Sequence, residues 1–136
     1  MSNPESIVFP LPPEMQAALE SAYATPPRAY HNFGHVETLL RHFDEVAARD
    51  GWAQPLEVRL AILYHDAIYD ARAGDNEARS ADLAVESITR WLPDAGIDAA
   101  RVADLIHLTA RHGQLSPGDF AGDPHPDDAR RFLDCD

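Results

Sequence analysis

The strongest structural signal in the chain is a set of apolar side chains at helical spacing. They recur at steps of three and four residues, which places them on one face of an α-helix. Asn32 can cap the start of this helix, and Asp50 with Gly51 can end it. The spacing therefore predicts one amphipathic helix built on Val36, Leu39, Leu40, Phe43 and Val46.

Prolines mark the starts and ends of two more helices. Pro13 can open a helix over 14–24, which the Pro26-Pro27 pair stops. Another helix is expected to begin near Pro55. Because residues 60–63 make this helix apolar on most sides, we expect it to run through the centre of the fold.

Three later helices are predicted at 76–92, at 99–112 and from about 127 onward, where Asp127 and Asp128 suit the positive end of the last helix. Asp75 and Asp98 can cap the first two of these. Strand signals are nearly absent, since the sequence has no sustained period-two alternation and no Asn-Gly hairpin. The predicted fold is an all-α, compact single-domain helical bundle of about five or six helices.

Length and charge narrow the class of protein. The 136 residues suit one domain, with a proline-rich extended arm at 1–13 and a helical domain at 14–136. The formal net charge is 11 − 23 = −12, which repels phosphate backbones and anionic lipids, so neither a nucleic-acid polymer nor a membrane is an expected partner. Cys135 is the only cysteine and the N-terminus lacks the pattern of a signal peptide, so a cytoplasmic location is expected.

Histidines occur in a pattern that could bind a metal ion. His31 and His35 are four residues apart, so on a helix they would point the same way, and His42 lies near that line. The alternative is a chance pair in which backbone groups or water satisfy each imidazole.

The pair His65-Asp66 follows the apolar segment of the central helix. A buried imidazole beside a buried carboxylate is costly unless each has a partner, and one metal ion would supply a partner for both. The alternative is that the pair simply ends the helix, with His65 near its negative C-terminus.

Polar residues of the next helix supply further candidates. Glu77 and Ser80 are three residues apart and share a helix face. Asp75 is better explained as a helix cap, and Arg79 as one partner of a solvated salt bridge.

His112 and two late aspartates complete the candidates. In helical projection His112 lies at the edge of the apolar stripe, whereas His107 lies nearly opposite its centre and is predicted to be on the surface. A favourable charge at a helix C-terminus would also explain His112. Asp134 and Asp136 follow an apolar pair and, by composition alone, form an acidic tail.

The order of these elements resembles the HD-domain superfamily of metal-dependent phosphohydrolases, and most closely a small branch of uncharacterised predicted HD hydrolases. The resemblance covers roughly residues 28–136. The segments that carry it are YHNFGHV, LYHDAIYD, DNEARSA, LIHLTARH and FLD-x-D, in that order.

The resemblance implies that His35, His65, Asp66 and Asp136 are the metal ligands. Asp136 is preferred to Asp134 because the family motif places a small residue directly before the aspartate. His31, Glu77 and His112 would line the pocket. Relatives usually continue past the late aspartate, so a chain truncated at its C-terminus or an incomplete site is expected.

The activity implied by the resemblance is hydrolysis of a small phosphate ester or nucleotide by a metal-activated water. The ion would be Mn²⁺, Fe²⁺, Co²⁺, Ni²⁺, Zn²⁺ or Mg²⁺. Glu77 would orient the water or act as base, and protonated His31 or His112 would neutralise the phosphate or protonate the leaving oxygen. A homodimer is compatible with this prediction.

Two other functions remain open from the sequence. HD scaffolds can hold two irons and oxidise their substrate, with His31 and His112 supplying part of a second metal site. The protein could instead be a non-catalytic metal- or nucleotide-binding module. A purely structural bundle is the third alternative.

Overall fold

Proline at the first helical position begins three of the six helices found in the described residues. The computed structural model describes residues 11–24, 33–68, 75–110, 122–123 and 125–135, without the side chains of 24, 33–35, 134 and 135. Proline suits the first position because the missing N–H would have no helical partner there. The helices are α1 (Pro13–Ala24), α2 (Phe33–Arg49), α3 (Pro55–Tyr64), α4 (Asn76–Trp91), α5 (Ala99–Thr109) and α6 (Pro126–Cys135).

The all-α bundle predicted from the sequence is confirmed. No strand occurs in the described residues, and the helices share one apolar core. No helix within those residues combines the length and apolar character needed to span a bilayer. Residues 1–10 of the predicted N-terminal arm lie outside the described ranges.

Helix α3 runs through the centre of the bundle, as its apolar sequence predicts. It packs against α2, α4, α5 and α6. Each fully buried large apolar side chain contributes about 1.5–3 kcal/mol to folding, so this helix is a major source of stability. Its buried apolar residues are Val58, Leu60, Ala61, Ile62, Leu63 and Tyr64.

The predicted helix ends are largely correct, with two differences. Gly51 follows α2 with a φ of 77°, and the Asp98 carboxylate accepts a hydrogen bond from Arg101 N at 3.1 Å. Asp75 stands at the start of α4, but its side chain makes no capping hydrogen bond, so this capping prediction is wrong. Helix α5 ends at Thr109 rather than 112, where Ala110 N bonds to the carbonyl three residues back and tightens the turn.

The N-terminal end of α3 is held by a carboxylate from α6. Asp128 is only 2% exposed, and its two oxygens accept hydrogen bonds from Ala53 N at 2.9 Å and Gln54 N at 2.8 Å. The sequence placed Asp127 and Asp128 at the positive end of their own helix. Asp127 is exposed there and pairs with Arg130, whereas Asp128 satisfies backbone donors in front of α3.

A buried arginine connects α5 by hydrogen bonds to the residues just before α6. Arg101 is 4% exposed and donates to Asp123 Oδ2 at 2.8 Å and to the His125 carbonyl at 3.2 Å. His125 N donates to the other Asp123 oxygen at 2.8 Å. Burial raises the pKa of Asp123, but the Arg101 and His125 hydrogen bonds outweigh burial and leave that pKa below its ordinary value.

Replacing Asp128 with alanine should destabilise the protein by roughly 1–3 kcal/mol, because two partly buried backbone N–H groups lose their acceptor. The matched control is Asp127→Ala, one residue earlier and exposed, which should stay within about 0.5 kcal/mol of wild type. Urea unfolding of the three proteins measures both values. Equal effects of the two substitutions would contradict the assigned contact.

The lowered pKa of Asp123 predicts a pH-dependent contribution to stability. The ionised group is favoured in the folded state, so its contribution is present above the unfolded aspartate value of about 3.9 and is lost as pH falls through the lower folded value. Wild type should exceed Asp123→Asn in stability near neutral pH, and the difference should shrink below about pH 4. Urea unfolding across this range tests it, and a difference independent of pH would count against it.

Candidate metal centre

The carboxyl end of α3 leaves backbone carbonyls without helical donors, and His65 satisfies two of them. Such orphan carbonyls occur in the last turn of every α-helix. His65 N donates to the Ala61 carbonyl at 2.9 Å, and its ring Nδ1 lies 2.8 Å from the Ile62 carbonyl. The side chain of His65 therefore acts as a helix cap, and this contact sets the direction of its ring.

Two other groups complete the end of α3. The Tyr23 hydroxyl, on α1, donates to the Leu63 carbonyl at 2.8 Å. Ala67 N donates to the Tyr64 carbonyl at 3.0 Å as the chain turns away from the helix. Each of the four carbonyls from residue 61 to residue 64 thus has a donor, so the backbone polar groups that a helix end leaves open are satisfied here.

The capping contact also determines what the other ring nitrogen of His65 can do. A carbonyl oxygen only accepts hydrogen bonds, so Nδ1 must carry a hydrogen. Nε2 lies 3.3 Å from Asp66 Oδ2, and the two side chains are 2% and 18% exposed. In a neutral imidazole with a hydrogen on Nδ1, Nε2 is an acceptor facing another acceptor. This arrangement is favourable only with a proton or a cation between the two atoms.

The donor atoms of His65 and Asp66 fit a divalent metal ion. Imidazole nitrogen and carboxylate oxygen are ligands of Zn²⁺ and of other borderline ions. Two donor atoms that are each about 2.1 Å from one ion lie roughly 3.0–3.4 Å from each other when the donor–metal–donor angle is between the octahedral and the tetrahedral value. The observed 3.3 Å lies within that range. The Asp66 side chain is partly exposed, so solvent reaches the carboxylate, whereas the His65 ring is buried.

Side chains of α4 and α6 support this pair. Phe132 meets the His65 ring edge-on, with centroids 6.4 Å apart and planes at 88°. Ser80 Oγ accepts from Ile68 N at 3.0 Å and donates to the carbonyl of the same residue at 3.3 Å. The segment that contains Asp66 is therefore attached at one end to α3 and, two residues later, to α4.

The structure brings together the predicted ligands His65 and Asp66. No group of three or more His, Cys, Asp or Glu side chains suited to a metal ion occurs among the described residues. His35 lies on α2, but its side chain is outside the description, as is the whole of Asp136. Those two ligand assignments therefore stay predictions.

The residues predicted to line the pocket are only partly described. Glu77 is half-buried in the first turn of α4, three residues before Ser80 and on the same face. It therefore lies on the helix that contacts the segment after Asp66. His31 and His112 are outside the described residues.

Two other histidines lie on the surface. His107 is exposed on α5, as predicted. His42 is exposed on α2, with Nδ1 3.3 Å from Glu45 Oε1. The partner of His42 is therefore a carboxylate one turn away on the same helix.

Sequence reasoning missed two aromatic residues at the site. Tyr23 follows Met15 and Leu19 at four-residue steps, so helical spacing alone could have placed it on the buried face of α1. Its hydrogen bond to Leu63 spans 40 residues and has no local signal. Phe132 is apolar by type, and nothing in the sequence indicates that it packs on His65.

The comparisons with known proteins leave the family open. No family model, no curated protein and no solved structure matches the chain. The resemblance to the HD-domain superfamily therefore stays a prediction that depends on the order of the histidine and aspartate motifs.

Replacing Ser80 with alanine should destabilise the protein by roughly 1–3 kcal/mol, because the Ile68 N–H and carbonyl lose this partner. Ser21→Ala, at an exposed position of α1, makes the same chemical change and should have little effect. Urea unfolding measures both. If Ser80→Ala were as stable as Ser21→Ala, the attachment to α4 would be energetically unimportant.

Proposed function

We propose that this protein is a metal-dependent phosphohydrolase of the HD type, which hydrolyses a small phosphate ester or nucleotide. The observation that carries the proposal is the orientation of His65. Its Nδ1 is directed at the Ile62 carbonyl, and its Nε2 faces Asp66 Oδ2 at 3.3 Å. This arrangement favours a cation between the ring and the carboxylate. The ordered motifs around the pair support the choice of phosphate chemistry.

His65 and Asp66 would hold the ion, and the backbone of α3 would keep them in place. The carbonyl of Ile62 keeps the hydrogen on Nδ1, so Nε2, which faces Asp66 at 3.3 Å, is the ring nitrogen that would bind the ion. When bound, a divalent ion lowers the pKa of a coordinated water and polarises a phosphoryl oxygen. Mn²⁺, Fe²⁺, Co²⁺, Ni²⁺, Zn²⁺ and Mg²⁺ are the ions to test, and His35 and Asp136 are the proposed further ligands.

The remaining candidate side chains would transfer protons and bind the phosphate of the substrate. Glu77, half-buried at the start of α4, is the proposed base or water-orienting group. His31 and His112 are proposed to neutralise the phosphate or protonate the leaving oxygen. Because the net charge is −12, an anionic substrate needs local positive charge, which a bound cation would supply.

Metal content and phosphatase activity test the proposal directly. Purified wild type, Asp66→Asn and His65→Gln are compared for bound metal and for hydrolysis of a panel of phosphate esters and nucleotides. Wild type should bind a divalent ion and be active, and both variants should lose at least tenfold in activity because a ligand is removed.

Asp104→Asn and His107→Gln, both at exposed positions of α5, are the matched controls and should keep wild-type activity. Asp66→Asn preserves side-chain size, so it remains informative if His65→Gln fails to fold. Equal activity in all five proteins, or a wild type that binds no divalent ion, would refute the proposed function.

A further inference from the structure

We propose that Tyr23 is a positioning residue that holds the His65-Asp66 pair ready for metal binding. The inference rests on the proposed metal site and adds a role for the N-terminal helix. Met15, Leu19 and Tyr23 form the buried face of α1, at four-residue steps. Tyr23 therefore projects from the helix into the bundle and reaches α3 from a distant part of the chain.

The hydroxyl of Tyr23 bonds to the α3 backbone next to the carbonyl that orients the His65 ring. Its acceptor, the Leu63 carbonyl, is next along the chain to the Ile62 carbonyl that orients the His65 ring. Peptide units are planar, so the carbonyls of Ile62 and Leu63 can change direction relative to each other only by rotation about the φ and ψ bonds of Leu63. A donor on one carbonyl thus restricts the position of the other.

Loss of this hydroxyl would act through the backbone. The Leu63 carbonyl would lose a buried donor 2.8 Å away, and the last turn of α3 would open more readily. Opening of that turn weakens the contact between His65 Nδ1 and the Ile62 carbonyl. The ring would then sample directions in which Nε2 no longer faces Asp66.

Metal affinity distinguishes positioning from general stabilisation. Tyr23→Phe removes only the hydroxyl. Tyr64→Phe is the matched control, because Tyr64 is also a buried tyrosine, lies on α3 itself and likewise loses only its hydroxyl. Mn²⁺ binding is measured by calorimetry under conditions where all three proteins are folded. Tyr23→Phe should bind Mn²⁺ about tenfold more weakly than wild type, a loss typical of residues that orient a ligand, and Tyr64→Phe should match wild type.

A second readout needs no metal. The exchange of the His65 Nδ1 hydrogen with solvent is followed by NMR, with the signal assigned through its loss in His65→Gln. This hydrogen is bonded to the Ile62 carbonyl, so its exchange should be about tenfold faster in Tyr23→Phe and unchanged in Tyr64→Phe.

The outcomes separate the two claims. If wild type binds Mn²⁺ and Tyr23→Phe binds it equally well, the positioning inference is overturned and the metal site stands. An unchanged exchange rate in Tyr23→Phe also overturns the inference. If wild type binds no divalent ion, the proposed function falls, and the exchange measurement still decides whether Tyr23 positions His65.

Discussion

The imidazole of His65 contacts two acceptors at once, and the candidate site depends on that double constraint. One ring nitrogen caps the Ile62 carbonyl at the end of α3, and the other faces the Asp66 carboxylate at 3.3 Å. Because the first contact is a backbone cap, the ring cannot turn away from Asp66 without removing a buried donor from the Ile62 carbonyl. The same contact therefore ends the helix and orients the donor atoms.

The rest of the bundle holds α3 at both ends. At the N-terminal end, the Asp128 carboxylate accepts two backbone hydrogen bonds, and Glu57 accepts one from Asp98 N at 2.9 Å. At the C-terminal end, Tyr23 and Ser80 bond to the backbone on either side of the His65-Asp66 pair. A central apolar helix whose two ends are hydrogen-bonded to neighbouring helices can support metal ligands, which need precise placement.

The sequence predicted local features well and distant contacts poorly. Helical spacing predicted the amphipathic α2 and the central α3, and the prolines at 13 and 55 predicted where two helices begin, because these signals depend on neighbouring residues. Asp128 was assigned to its own helix, although its partners are 74 and 75 residues away. For the site, sequence adjacency placed His65 beside Asp66. The sequence also allowed His65 to end the helix, as it does, but it did not give the direction of the ring, which depends on the Ile62 carbonyl three residues earlier.

A crystal structure of the protein soaked with Mn²⁺, with anomalous data, is the most direct test of a cation between His65 and Asp66. The expected result is an anomalous peak bonded to His65 Nε2 and to a carboxylate oxygen of Asp66 at about 2.0–2.2 Å from each, with Nδ1 still donating to the Ile62 carbonyl. The contrary result is no peak at this pair at saturating Mn²⁺, with His65 Nε2 donating a hydrogen bond directly to Asp66. A proton would then take the place assigned to the metal, and the pair would be a structural helix cap.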